Sequence, residues 1–252
     1  MESESDNSPP VHRNTSMRRA VLPYLTKIAH GSSPFITTFL LIHLAPPALA
    51  NLGGSSLSSQ SMLLGREYYQ TSFGEKYLVL APIAIHALSA FLKRVLSGPK
   101  NPPRPPWSLL TTTGYATMWL FLPVHFLVHR RLPTTPAPPI LEVGPSELDY
   151  EFVKVGLQTW PWRSALLYGG LVICVSLHMA DGMGIMWNAY LAQTWSRVKQ
   201  SVRKYRRAGL VAGVALPVLS GLVVVAREPV LSFASTVKRF EAVFLMSWIY
   251  RL

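Results

Sequence analysis

Apolar residues along this chain are gathered into long runs with short polar stretches between them. Residues 28–65, 107–129 and 208–226 contain no Asp, Glu, Lys or Arg at all. A helix needs about 20 mostly apolar residues to cross the ~30 Å hydrocarbon layer of a bilayer. We therefore predict five membrane spans, at residues 34–52, 77–96, 108–129, 164–187 and 208–226.

The alternative is a soluble helical bundle, in which each helix carries a polar stripe on its solvent side. None of the five runs has such a stripe, and only 14% of the residues are charged, against roughly 25% in soluble domains. Backbone polar groups have no water partners inside lipid, so these runs are expected to be helical even where they contain proline. The predicted fold class is all-α, a polytopic bundle of five transmembrane helices.

Three regions follow from this pattern. Residues 1–30 are polar and are expected to form a disordered tail. Residues 31–227 form the five-helix transmembrane domain, and residues 228–252 form an amphipathic C-terminal segment. In that segment apolar side chains recur at helical spacing, and we expect it to lie in the membrane interface, with a partner-binding helix as the alternative. Its apolar positions are Val230, Phe233, Val237, Phe240 and Phe244.

Basic residues are concentrated on one side of an alternating five-span topology. The N-terminal tail and the second and fourth loops share that side, and their acidic residues are Glu2, Glu4 and Asp6. The positive-inside rule then places the N-terminus in the cytosol. The fourth loop is the most basic and is interpreted either as a topology anchor or as a patch for anionic lipid headgroups. Its cations are Arg197, Lys199, Arg203, Lys204, Arg206 and Arg207.

The sequence contains none of the common catalytic motifs. It has no Gly-rich phosphate loop, no nucleophile elbow and only one cysteine, Cys174. We therefore expect no catalytic residues and no enzymatic activity, and membrane lipids rather than nucleic acid as partners. The oligomeric state stays open.

Histidines are the chemically informative residues of the spans. His43, His86, His125 and His178 fall one each into the first four spans, where ionisable groups are costly and usually functional. For any single one, a neutral imidazole bonded to a backbone carbonyl is the alternative. His86 and His178 lie at similar depth, as the two axial ligands of a six-coordinate haem iron must.

His43 and His125 form the second candidate pair, although the nominal span limits separate their depths by about seven residues, or ~10 Å. A zinc site is a poor alternative for the four histidines, because zinc needs its ligands clustered around one point. Asp181 shares a helix face with His178. It is expected either to orient that imidazole as an acceptor or to mark a helix break before Gly182.

The segments around the four histidines carry a family resemblance. They are 39–44 with Asn51 beyond, 82–87, Thr113-Gly114 before His125, and 176–182. In order and spacing they resemble the five-span dihaem cytochrome b anchors of succinate:quinone and fumarate:quinol oxidoreductases. The resemblance implies one or two haem b groups. His43 and His125 would be the axial ligands of one iron, and His86 and His178 those of the other.

The Pro-rich loops, the basic cytosolic side and the amphipathic C-terminal segment resemble one branch of that fold, the fungal mitochondrial outer-membrane family of Mdm ten-complementing proteins. This implies a multi-pass outer-membrane protein of lipid homeostasis. It would act as adaptor for a bridge-like, chorein-type lipid-transfer protein, and lipid scrambling is also attributed to the family.

That partner is expected to recognise a Pro-x-Pro motif in the cytosolic tail. The tail here has Pro9-Pro10 but no such motif. The candidate is instead Pro103-Arg104-Pro105 in the second loop, with Pro103 and Pro105 as the partner-binding residues, or else a rigid connector. Pro136-Ala137-Pro138 lies on the opposite side of the predicted topology.

Two other functions are compatible with the sequence. The first is a haem b membrane cytochrome that carries electrons, with a quinone as a candidate partner. The second is a transporter, which would need a polar lining and broken helices, and the threonines at 37–38 and 111–113 are its only support.

Overall fold

The computed structural model describes residues 12–98, 102–191 and 201–252, with side chains described from residue 20 and, after the second gap, from residue 205. Within these ranges the chain is all-helical and contains no strand. The helices are α1 (His12–Tyr69), α2 (Gly74–Leu96), α3 (residues 109–131), α4 (Tyr150–Thr159), α5 (Pro161–Leu191), α6 (Ser201–Arg227), α7 (Ala234–Met246) and α8 (Trp248–Arg251).

Four helices in the described ranges are long and apolar enough to cross a membrane: Ala20–Tyr69 of α1, then α2, α5 and α6. They indicate a membrane protein. The predicted third span is helical too, as an unbroken run of α- and π-type segments from Leu109 to Arg131. It is not among the four, because its three threonines at 111–113 and its histidines make it less apolar.

The first helix differs from its prediction at both ends. It already begins at His12, inside the stretch predicted as a disordered tail, of which residues 1–11 lie outside the described part. Leu22, Leu25 and Ala29 recur at helical spacing and are half-buried, and Ser32 is buried. Packing of this face accounts for the order of residues 20–33, which composition alone does not indicate.

At its other end α1 turns back on itself at Gly53 and Gly54, where the backbone leaves the helical region. Gly54 has φ +62°, a conformation that residues with a Cβ rarely adopt. The short arm, residues 55–69, packs against the long arm, residues 20–52. The Ser58 hydroxyl donates to the Pro46 carbonyl at 2.9 Å, and the Tyr69 ring meets the Phe39 ring at 5.3 Å.

One end of the bundle is closed by a small folded unit, which we call the cap and define as residues 132–160 and 228–252. Its core joins α4 to the C-terminal segment. The Phe152 and Phe244 rings stack at 4.6 Å with an interplanar angle of 15°, and Phe240 and Val243 are fully buried. Helix α4 thus covers part of the apolar face of the C-terminal segment, whereas Phe233 on that segment is 83% exposed. The prediction that the segment lies in the membrane interface stays a prediction.

A buried lysine joins the two parts of the cap at the point where the chain leaves α6. The Lys154 side chain is 1% exposed, and its Nζ lies 2.5 Å from Glu151 and 3.4 Å from Glu228. It also donates to the Pro229 carbonyl at 3.0 Å. The Ser55 backbone N–H donates to the Glu228 carboxylate, and hydrogen bonding from Ser55 holds the pKa of Glu228 below its ordinary value. The turn of α1 at Ser55 and the Lys154 side chain of α4 therefore meet at the Glu228 carboxylate, directly after α6.

The long arm of α1 also packs closely on α6. A Cβ at Gly221 would collide with the backbone carbonyl of Pro47. Beside this contact the Asn51 amide donates to the Ala48 and Pro217 carbonyls, each at 2.8 Å. The side chain of Asn51 therefore links the two helices where their backbones come closest.

Candidate haem site

His86 of α2 and His178 of α5 face each other inside the bundle. Their ring centres are 6.2 Å apart, and the ring planes are nearly perpendicular at 83°. Metal–imidazole bonds of about 2.0 Å put the centres of two axial imidazoles roughly 6 Å apart. The spacing of this pair therefore fits two axial ligands of one iron.

Both imidazoles are held through the same nitrogen. The Nδ1 atom of His86 lies 3.0 Å from the Ala29 carbonyl oxygen and 3.3 Å from the Ser32 hydroxyl. The Nδ1 atom of His178 lies 3.0 Å from the Leu110 carbonyl oxygen. A carbonyl oxygen only accepts hydrogen bonds, so each Nδ1 carries the proton and each Nε2 keeps its lone pair. This is the usual arrangement of metal-binding histidines.

Gly114 lies directly against one imidazole of this pair. A Cβ at Gly114 would lie 2.9 Å from Cε1 and 3.0 Å from Nδ1 of His178, so a side chain there would displace the imidazole. Gly182, one turn beyond His178, and Gly31, next to Ser32, have open space where a Cβ would stand. The ring spacing and the donor set fit a bis-imidazole haem.

His43 and His125 also meet, with ring centres 5.8 Å apart and planes at 81°. The offset of ~10 Å expected from the nominal span limits is absent from the structure. The nominal span limits misplaced the depths of both histidines, because α1 begins well before residue 34 and α3 continues to Arg131.

Three residues around the second pair were not predicted as part of a site. The His129 ring lies 4.6 Å from the His125 ring and is tilted to it by 32°, and its Nε2 lies 2.9 Å from the Tyr168 hydroxyl. The Tyr69 hydroxyl lies 3.4 Å from Nδ1 of His43. Spacing could have identified His129, which is four residues after His125 and hence on the same helix face. The tyrosines come from distant segments and left no signal in the sequence.

Asp181 has neither of its two predicted roles. Helix α5 runs unbroken past Asp181 and Gly182, and the His178 Nδ1 is bonded to Leu110 instead. The Asp181 carboxylate pairs with Arg207 at 2.8 Å and Arg206 at 3.4 Å. Because those two guanidiniums are engaged, they are less available to lipid headgroups. The other cations of the fourth loop, at 197, 199, 203 and 204, lie outside the described side chains.

The candidate docking prolines are accessible. Pro103 and Pro105 are exposed in the extended segment between α2 and α3. Arg94 of α2 donates to the Arg104 carbonyl between them at 2.9 Å. Pro136 and Pro138 are exposed as well, but they belong to the cap.

Comparison with protein-family models, curated proteins and solved structures found no match to this chain.

Proposed function

We propose that this chain is a non-enzymatic, multi-pass protein of lipid homeostasis in the mitochondrial outer membrane, built on a five-span bundle of the cytochrome b anchor type. The observation that carries the proposal is the His86–His178 pair, whose spacing and carbonyl-bonded Nδ1 atoms suit one haem b. The membrane, the N-terminus in the cytosol and the lipid role come from the family resemblance.

Helix α3, the third span in chain order, is the span that brings the four candidate helices to the proposed five. It runs alongside α2 in the opposite direction, since the Arg94 guanidinium lies over the Tyr115 ring at one end. At the other end Arg130 forms a bidentate ion pair with Glu75 at 2.6 and 2.7 Å. A helix that accompanies a candidate span over this length is long enough to cross with it.

In this proposal haem b provides one-electron redox chemistry, or structural support between α2 and α5. His86 and His178 would hold the iron, while Ala29, Ser32 and Leu110 orient the two imidazoles. Lys93 follows His86 by two helical turns on the same face and is exposed, so it would offer a cation to an acidic group of the cofactor.

The haem site is tested by absorption spectroscopy on detergent-purified protein expressed with added haem precursor. We expect a Soret band and sharp visible bands on reduction, and loss of both in His86→Ala and in His178→Ala, because each variant removes one axial nitrogen. His30→Ala is the matched control, since His30 bonds Tyr190 and belongs to neither pair. A wild-type protein without a Soret band, or two variants that retain it, would contradict the site.

The adaptor role is tested by pull-down of a bridge-like lipid-transfer protein. If its docking motif is Pro103-Arg104-Pro105, a Pro103→Ala/Pro105→Ala protein should recover at least tenfold less partner. The matched control is Pro136→Ala/Pro138→Ala, which alters an equally exposed Pro-x-Pro motif on the cap. Equal recovery by both double variants would exclude the second loop as the docking site.

A haem b cytochrome that carries electrons is the second candidate, and the same histidine pair favours it. Anaerobic addition of a soluble quinol separates the two functions. Rapid reduction of the bound haem would favour the electron carrier, whereas an unreactive haem would favour a structural role beside the lipid function.

A further inference from the structure

The two histidine pairs have similar ring spacing but different hydrogen bonding. Each Nδ1 of the His86–His178 pair lies 3.0 Å from a backbone carbonyl. In the other pair His43 has only the Tyr69 hydroxyl, at the longer distance of 3.4 Å, and no hydrogen bond of His125 is found among the described residues. The second pair therefore lacks the contacts that would keep two Nε2 lone pairs turned toward a metal.

Large rings surround the second pair. Phe39 stacks on His43 at 5.2 Å and 20°, while the His129 ring lies 4.6 Å from the His125 ring and is tilted to it by 32°. Tyr69 meets the His43 ring edge-on at 5.7 Å, and Tyr168 meets the His125 ring at 6.4 Å. A porphyrin is much wider than the imidazoles on its two faces, so these rings occupy the space that it would need. Beside the first pair stands Gly114, where the missing side chain leaves room for the His178 imidazole.

The free space beside the second pair is small and mostly apolar. A cavity of about 10 Å³ is lined by His125, His129, Tyr168 and Tyr250, with Val124, Val128 and Leu167 as its apolar wall. A single buried water needs roughly 10–15 Å³. The cavity is therefore no larger than one water and has no room for any part of a porphyrin.

We infer that the chain holds one haem, between His86 and His178, and that the His43–His125 pair binds no second porphyrin. This inference rests on the proposed haem site and departs from the dihaem pattern of the family that the sequence resembles. His43 keeps the Tyr69 hydroxyl as a partner, which lowers the cost of an unligated imidazole within the membrane.

The test is the haem-to-protein ratio of purified wild-type protein, together with His43→Ala, His125→Ala and the conservative variants His43→Gln and His125→Gln. We expect a ratio near one in all five, and a single low-spin ferric signal in electron paramagnetic resonance. The Gln variants keep a polar side chain, so they remain informative if an alanine variant fails to fold, as judged by size-exclusion chromatography.

The outcomes separate this inference from the proposed site. A wild-type ratio near two, or the loss of half the haem in a folded His43 or His125 variant, would overturn the single-haem assignment and leave the His86–His178 site in place. Haem that survives in His86→Ala but disappears in His43→Gln would overturn both. A ratio near one that falls to zero only in the His86 and His178 variants is the result expected if the inference is correct.

Discussion

Replacing Gly221 by alanine is expected to lower the melting temperature of the detergent-solubilised protein by roughly 5–10 °C, for a loss of about 2–3 kcal/mol. The new Cβ would collide with the Pro47 carbonyl and would lie 3.2 Å from the Asn51 amide nitrogen. Backbone cannot rotate away as a flexible side chain can, so α1 and α6 must separate. That separation also weakens the Asn51 bonds to Ala48 and Pro217.

The matched control is Gly213→Ala, in the same membrane-spanning helix. A Cβ at Gly213 has no heavy atom within 4 Å, and alanine is about 1 kcal/mol better than glycine within a helix. We expect its melting temperature to be unchanged or slightly higher. Equal melting temperatures for the two alanine variants would mean that α1 and α6 do not pack as closely as described.

Replacing Lys154 by alanine is expected to release the C-terminal segment from α4 and to destabilise the cap by about 3 kcal/mol. The substitution removes the cation from between Glu151 and Glu228, whose side chains are only 17% and 29% exposed. Two partly buried carboxylates would then face each other without compensation. The measurement is amide hydrogen exchange of peptides covering Ala234–Met246, which should lose protection.

Two comparisons make the Lys154 result specific. Lys238→Ala removes an exposed lysine of α7 in the same cap and should leave the exchange of Ala234–Met246 unchanged. A Lys154→Met/Glu151→Gln/Glu228→Gln protein removes the whole charge set and should recover part of the protection, since no uncompensated charge remains. If Lys154→Ala exchanged like wild type, apolar packing of Phe240, Val243 and Phe244 alone would hold the cap together.

The local features of this protein follow from its sequence. Helix is expected wherever a long apolar run must satisfy its own backbone, and 77–96, 164–187 and 208–226 lie within α2, α5 and α6. The pairing of His86 with His178 could also be anticipated, because depth in a span follows from residue number, whereas depth argued against the pairing of His43 with His125. The sequence likewise indicated that residues 228–252 have an apolar helical face.

What covers that face, and what holds each imidazole, was decided by the tertiary structure. Phe240 and Phe244 of the C-terminal segment pack on α4, because Phe152 and Lys154 come to lie beside that segment from a region some eighty residues earlier. Asp181 pairs with Arg206 and Arg207 instead of His178 for the same kind of reason. Periodicity shows which side of a helix is apolar but contains no information on which distant atoms meet it. The carbonyls of Ala29 and Leu110 reach the histidines only after the helices have packed.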